Sequence, residues 1–205
     1  MKQAITHLIE QRISANQFDS TKKISQTEIE ELVRLATRAP SAFNAQNWKF
    51  IAVTSQEAKE RLKAVAYGQQ KIADASVTFI ICGTLAPHLT LSKALQPSVH
   101  TGLLDQAMHD AWVSMATAGY GPNPQKQRDE AIRSASMATM NLMLAAQGMG
   151  MVSGPMIGFD PAGVAKEFNL SDNEIPAMLL AVGYEAPGNW PQKPRLPVKD
   201  VLTIV

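Results

Sequence analysis

The 205 residues are enough for one domain with a real core and too few for two comfortable ones. Apolar residues make up 45% and charged residues 18%, ordinary globular usage that excludes general disorder. A formal net charge of +1 offers no basic field for nucleic acid or an anionic membrane, so neither partner is expected. Cys82 is the only cysteine, which excludes an internal disulfide and thiolate metal sites of the zinc-finger kind. The Met1 end has no uninterrupted apolar stretch, and no run of about eighteen apolar residues occurs. The expectation is a soluble protein of a reducing compartment, the cytoplasm.

Residues 1–12 have helical spacing, with Ile5, Leu8 and Ile9 on one face. Ser25-Gln26-Thr27-Glu28 is a capping-box pattern, followed by Ile29, Leu32, Val33 and Ala36 at i, i+3, i+4, i+7. This predicts an amphipathic helix ending near Pro40. Residues 48–54 alternate as a strand, 56–66 return to helix, and 76–82 (SVTFIIC) form an apolar, β-branched run suited to a buried strand. Residues 87–124 have no clear period, apart from a helix from about Leu103 to Ala118 that Gly119, Gly121, Pro122 and Pro124 break.

From about Gln125 to Met149 the pattern is helical again and becomes apolar all round after Ala135, which puts that helix in the middle of something. Gly150 suits its C-terminal cap. Residues 151–154 read as a short strand or loop, Asp160-Pro161 opens a helix to about Phe168, and 177–183 make another buried strand. A proline-rich arm (Pro187, Pro191, Pro194, Pro197) leads into the strand-like run Val201–Val205. Such a tail cannot fold back as a tight hairpin, so it crosses its own domain or reaches a partner. The composite is α+β: few strands, one central apolar helix and surrounding amphipathic helices.

The familiar catalytic signatures HExxH, GxSxG, GxxxxGK[ST] and GxGxxG are absent, and His7, His88, His100 and His109 lack ligand spacing and read as structural. Four short segments remain. Arg12-Ile13-Ser14-Ala15-Asn16 offers a planar fork of donors and a hydroxyl suited to phosphate, or an ordinary solvated helix end. Pro40-Ser41-Ala42-Phe43-Asn44-Ala45-Gln46-Asn47-Trp48 is a loop dense in small hydrogen-bonding groups, by site or by turn chemistry. Gly154-Pro155-Met156-Ile157-Gly158-Phe159-Asp160 has two glycines that would let backbone run close against a planar ligand, or simply make a tight connection. Lys193-Pro194-Arg195-Leu196-Pro197 holds two cations on a stiff arm, or a solvated basic tail.

Read in order, these four segments resemble the landmark motifs of the FMN-dependent nitroreductase family, at its approximate spacing and over almost the whole chain. The apolar helix SMATMNLMLAAQGMG and Gln69-Gln70-Lys71 are similar to it as well. The resemblance implies one nitroreductase-like domain over 1–205, a central mixed or antiparallel sheet flanked by helices, and an intertwined homodimer whose arm, about 187–205, reaches the partner. It implies that Arg12, Ser14, Lys193 and Arg195 hold the FMN phosphate, with Ile13 and Asn16 in the same binding segment. Pro40, Ser41, Ala42 and Asn44 meet the flavin ring from the other subunit. Met156, Ile157 and Gly158 line one ring face with backbone groups near N5, Lys71 sits by the N1–O2 edge, and Pro155 and Gln69 are counted with the cofactor-binding residues.

Three positions depart from the family pattern. Asn16 stands where a cation is common, Asn47 replaces a proline, and Ile157 stands where Glu or Gly is frequent. The missing cation implies a flavin harder to reduce. The function so implied is hydride transfer from NADH or NADPH to nitroaromatic or quinone-type acceptors by a ping-pong mechanism. The alternatives are other flavin chemistry on the same fold, such as reductive dehalogenation or flavin fragmentation, and a flavin-binding protein without turnover.

Overall fold

The computed structural model describes residues 2–205, with side chains from Ile5 onward. Helix α1 (Lys2–Gln11) is followed by α2 (Gln26–Ala36), a 3₁₀ turn (Ala42–Asn44), strand β1 (Trp48–Val53), α3 (Gln56–Ala64), the single turn α4 (Lys71–Asp74) and β2 (Val77–Thr84). Then come α5 (Pro87–His100), α6 (Gln106–Tyr120), α7 (Pro124–Gly148), β3 (Val152–Met156), α8 (Pro161–Glu167) and β4 (Glu174–Gly183). The α+β expectation holds.

The four strands form one antiparallel sheet in the order β1-β2-β4-β3. Alternation along β2 and β4 builds the two cores. Val77, Phe79, Ile81, Leu180 and Val182 pack with Leu32 and Ala36 of α2 and with Ala135 and Leu142 of α7. Ile80, Cys82, Leu179 and Ala181 face the other way, onto Leu62 of α3, Ile72 of α4 and Val164 of α8. Burial there pushes the Cys82 thiol up to about 12, which leaves it inert as a nucleophile. The α5–α6 pair has its own smaller core of Leu91, Leu95, Ala116 and Tyr120, closed by Ala45.

The expected caps are present: Ser25 and Glu28 make a reciprocal capping box, Asp160 accepts from the Ala162 amide, and Gly150 (φ 76°) follows α7. Helix α5 had no counterpart in the sequence reading, because Pro97 interrupts its pattern; the helix carries this proline in its last turn without the donor that would have bonded to Lys93, and buries Leu91 and Leu95 instead. Helix α6 begins at its Asp105 cap and runs through Gly119 to the buried Tyr120, so packing overrides the glycine.

Apolar side chains stand open at several places among the described residues. Ile5 and Ile9 of α1 are exposed, and α7 turns one side to the sheet while Met140 on the other side stays exposed. The tail forms no strand: after a 3₁₀ turn (Val198–Asp200) Leu202, Ile204 and Val205 stand in solvent. Strand geometry needs a pairing edge, and among the described residues the tail makes no backbone hydrogen bond to a strand of its own sheet.

Candidate functional site

The first motif is shaped by β3. Beyond α1 the chain runs extended beside that strand, with Ser14 bridged to Ser153 and the Ala15 amide donating to the Ser153 carbonyl at 2.9 Å. Extended backbone alternates, so Ile13 and Ala15 turn into the core while Arg12, Ser14 and Asn16 turn outward. Gly154 makes this approach possible, because a Cβ there would lie 2.3 Å from the Ala15 carbonyl oxygen. The space read from sequence as room for a planar ligand at Gly154 is therefore taken by the chain's own backbone.

The arm closes over this segment. It turns at Gly188 (φ 102°), and Trp190, Pro191, Gln192, Lys193 and Arg195 complete a cleft of about 230 Å³ with Arg12, Ser14 and Asn16. The Lys193 ammonium lies 4.8 Å from the centre of the Trp190 ring, and Arg195 donates to the Lys193 carbonyl. Among the described residues, no carboxylate forms an ion pair with Arg12, Lys193 or Arg195. Burial, and then the neighbouring Arg195, lower the pKa of Arg12 from its ordinary value. Three like charges around one cleft without an acidic partner is a costly arrangement until an anion enters.

A second cleft, also of about 230 Å³, is lined by Asn16, Gln69, Gln70 and Lys71, so Asn16 belongs to both. The Lys71 ammonium donates to the Asn16 side-chain oxygen at 3.1 Å, and burial lowers its pKa below the usual lysine range. Lys71 is thus aimed into the site, unlike a lysine on a solvated turn. Gln69 donates to the Gly158 carbonyl at 2.7 Å, which brings the third motif to this end. Met156 is buried in the core and Pro155 is half-buried, so Met156 can offer only backbone outward, whereas Ile157 is 80% exposed.

Beneath Lys71, the buried Lys59 ammonium donates to the carbonyls of Ala73 (3.0 Å) and Ala75 (2.7 Å), fixing the end of α4.

Pro40, Ser41, Ala42 and Asn44 line neither cleft. Their loop packs toward α5 and α6, with the Phe43 ring 6.1 Å from that of Trp112. Phe43, Asn44 and Gln46 all have left-handed backbone (φ 54°, 56° and 49°), and such a conformation at a phenylalanine costs about 1–3 kcal/mol. The Ser41 hydroxyl accepting from the Gln46 amide (2.9 Å) holds the turn. Asn47, in place of the family's proline, is buried and donates to the Thr84 carbonyl at 3.3 Å, tying the loop to β2. His109 is buried between α5 and α6 near Ser92 and Gln96, a packing residue as its sequence context implied.

Sequence reasoning missed Asn189, Trp190 and Gln192. Asn189 accepts from the amides of Asn16 and Gln17 (2.8 and 2.9 Å) and donates to the carbonyls of Gln17 and Ala186. Gln192 donates to the carbonyls of Ile9 and Arg12. The main partners of Asn189 and Gln192 lie far away in the chain, so no local pattern marks them.

A four-stranded antiparallel sheet between helices makes this an α+β fold, with a basic cleft where the arm meets the first helix. Residues 9–184 match the nitroreductase family profile. MhqN of Bacillus subtilis (strain 168), which carries an NAD(P)H nitroreductase name, is 34% identical over 197 residues, covering 95% of this chain and 96% of its own. The crystal structure of YdfN from Bacillus subtilis superposes with a TM-score of 0.94 at 32% identity over the full length of both chains. A nitroreductase-type structure from Exiguobacterium sibiricum 255-15 in complex with FMN has a TM-score of 0.91 at 27% identity, covering 98% of this chain and 97% of that one. The chain belongs to the nitroreductase family.

Proposed function

We propose that this chain is an FMN-dependent NAD(P)H oxidoreductase that acts on nitroaromatic or quinone-type acceptors as a homodimer. The observation that carries the cofactor is the set of uncompensated cations, Arg12, Lys193 and Arg195, around one cleft beside the Ser14 hydroxyl. A phosphate dianion satisfies that donor set, and forked guanidinium donors suit its oxygens. The second cleft shares Asn16 with the first, so a ring attached to a bound phosphate would find its pocket on the other side of that residue. There the Lys71 ammonium supplies positive charge, while Ile157 and Gly158 present an open, uncharged surface. FMN bound in this place supplies the hydride acceptance and return that none of these side chains performs. The donor and the acceptor take turns at one open face, which is the basis for a ping-pong order.

The dimer reading rests on surfaces that one chain leaves open. Strand β1 is an edge strand, and beside it runs a mainly apolar groove of about 510 Å³ whose lining includes Ile29, Val33, Trp48 and Phe50 together with the charged Glu30, Arg34 and Lys49. The tail of a second copy, rich in β-branched residues, suits that edge and groove. In the same assembly the second copy's Pro40–Asn44 loop covers the ring.

Protein purified with flavin absorbance and bleached anaerobically by NADH or NADPH bears out this reading. Flavin retained without bleaching leaves only a passive binder. Lys71 provides a sharper check. A cation at the ring edge favours added negative charge, so Lys71→Met lowers the two-electron potential of bound FMN by about 30 mV, equivalent to about 1.4 kcal/mol. Asn16→Arg raises it by less, because the second cation comes at the loss of the oxygen that holds Lys71. The Lys71 contribution fades as pH rises through its lowered pKa. Equal potentials in a redox titration of the three proteins rule out Lys71 at the ring edge.

A further inference from the structure

The three cations repel one another, yet two of them sit on an arm that must be brought to the third. Among the described residues, the side-chain hydrogen bonds that join the arm from Asn189 to Pro197 to the preceding part of the chain come from two neutral amides, Asn189 and Gln192. The Asn189 side chain uses its full capacity of two accepted and two donated bonds. Three of the four engage the backbone of Asn16 and Gln17, immediately beyond the Arg12-Ile13-Ser14 segment. Gln192 adds two bonds to the carbonyls of Ile9 and Arg12, where α1 ends. Gly188, with its φ of 102°, gives the turn that presents Asn189 to this segment.

We propose that Asn189, seconded by Gln192, is a positioning residue that assembles the phosphate cradle by clamping the cation-bearing arm onto the Arg12–Gln17 segment. The inference rests on the FMN reading above and deepens it. A neutral amide suits the task because it holds the arm without cancelling the charge that the anion needs. A carboxylate in its place would accept the same two amides but would compete with phosphate for the three cations. The clamp also reaches the ring end. The Asn16 amide that Asn189 holds belongs to the residue whose side chain accepts from Lys71, so one chain of hydrogen bonds joins the two clefts.

The test is a double-mutant cycle on ligand affinity, followed by flavin fluorescence or calorimetry with FMN and with riboflavin. Asn189→Ala weakens FMN binding roughly ten- to thirtyfold and riboflavin binding by less than about twofold. In the K193A/R195A background the same substitution changes FMN affinity by less than about twofold, because the cations it positions are gone. Gln192→Ala shows the same pattern at smaller size and serves if Asn189→Ala does not fold. Equal losses for both ligands, or the same loss in both backgrounds, mean a general structural role and overturn the proposal. If K193A/R195A weakens FMN while Asn189→Ala and Gln192→Ala do not, the clamp is refuted and the FMN site stands. If K193A/R195A has no effect either, the site itself is misassigned and the clamp falls with it.

Discussion

Replacing Arg195 by alanine weakens FMN binding roughly 30- to 150-fold, from a loss of about 2–3 kcal/mol at about 1.4 kcal/mol per decade. The guanidinium is one of three cations around the Arg12–Arg195 cleft and has no carboxylate partner among the described residues, so its removal subtracts directly from the charge available to a dianion. Riboflavin, which lacks the phosphate, binds the variant and the parent alike. Arg195→Lys keeps the charge but loses the planar fork and falls between the two. Titration of both ligands decides the matter: equal weakening of FMN and riboflavin removes Arg195 from the phosphate ligands. The substitution also relieves Arg12, whose pKa is held down by burial first and by Arg195 second.

Truncation after Pro197 has the largest expected effect on assembly. The eight residues removed include Val198, Val201, Leu202, Ile204 and Val205, all exposed in the isolated chain. Fully burying one such side chain contributes about 1.5–3 kcal/mol. Losing three of them from a dimer contact weakens association roughly a thousandfold or more. The intact protein is expected at about twice its 22.2 kDa chain mass by light scattering, and the truncated one at the chain mass itself. Lys193 and Arg195 remain in the shortened chain, so any loss of flavin there reports the missing second copy rather than a damaged phosphate cleft. A truncated protein that stays dimeric at micromolar concentration removes the tail from the interface.

Local signals carried much of this fold because they act within a few residues. The Ser25–Glu28 capping box, the Asp160 cap and the apolar runs of β2 and β4 specify their elements by short-range hydrogen bonding and by burial on both faces. The family resemblance singled out Arg12, Lys71, Lys193 and Arg195, each of which has an ordinary solvated use on its own motif, and the fold sets Arg12, Lys193 and Arg195 around one cleft with Lys71 lining the next. Where long-range packing overrules local preference, sequence was a poorer guide. Helix α5 carries Pro97, and α6 passes through Gly119 because Leu91, Leu95, Ala116 and Tyr120 share a core that neither helix reveals alone.

Tertiary structure alone decided which atoms of the site meet. Gly154 has to be glycine because the Ala15 carbonyl presses against it, a contact between segments about 140 residues apart. Asn189 and Gln192 resemble any polar residues of a proline-rich arm until their amides are seen on the backbone near α1. The tail was readable as strand-forming but not as a strand, since its β-branched residues supply a preference and only an unpaired edge supplies the hydrogen bonds. Motif order thus pointed to the family and the class of cofactor. The backbone contacts that bring the cations of the site around one cleft depend on pairings distant in sequence, and only the folded chain specifies them.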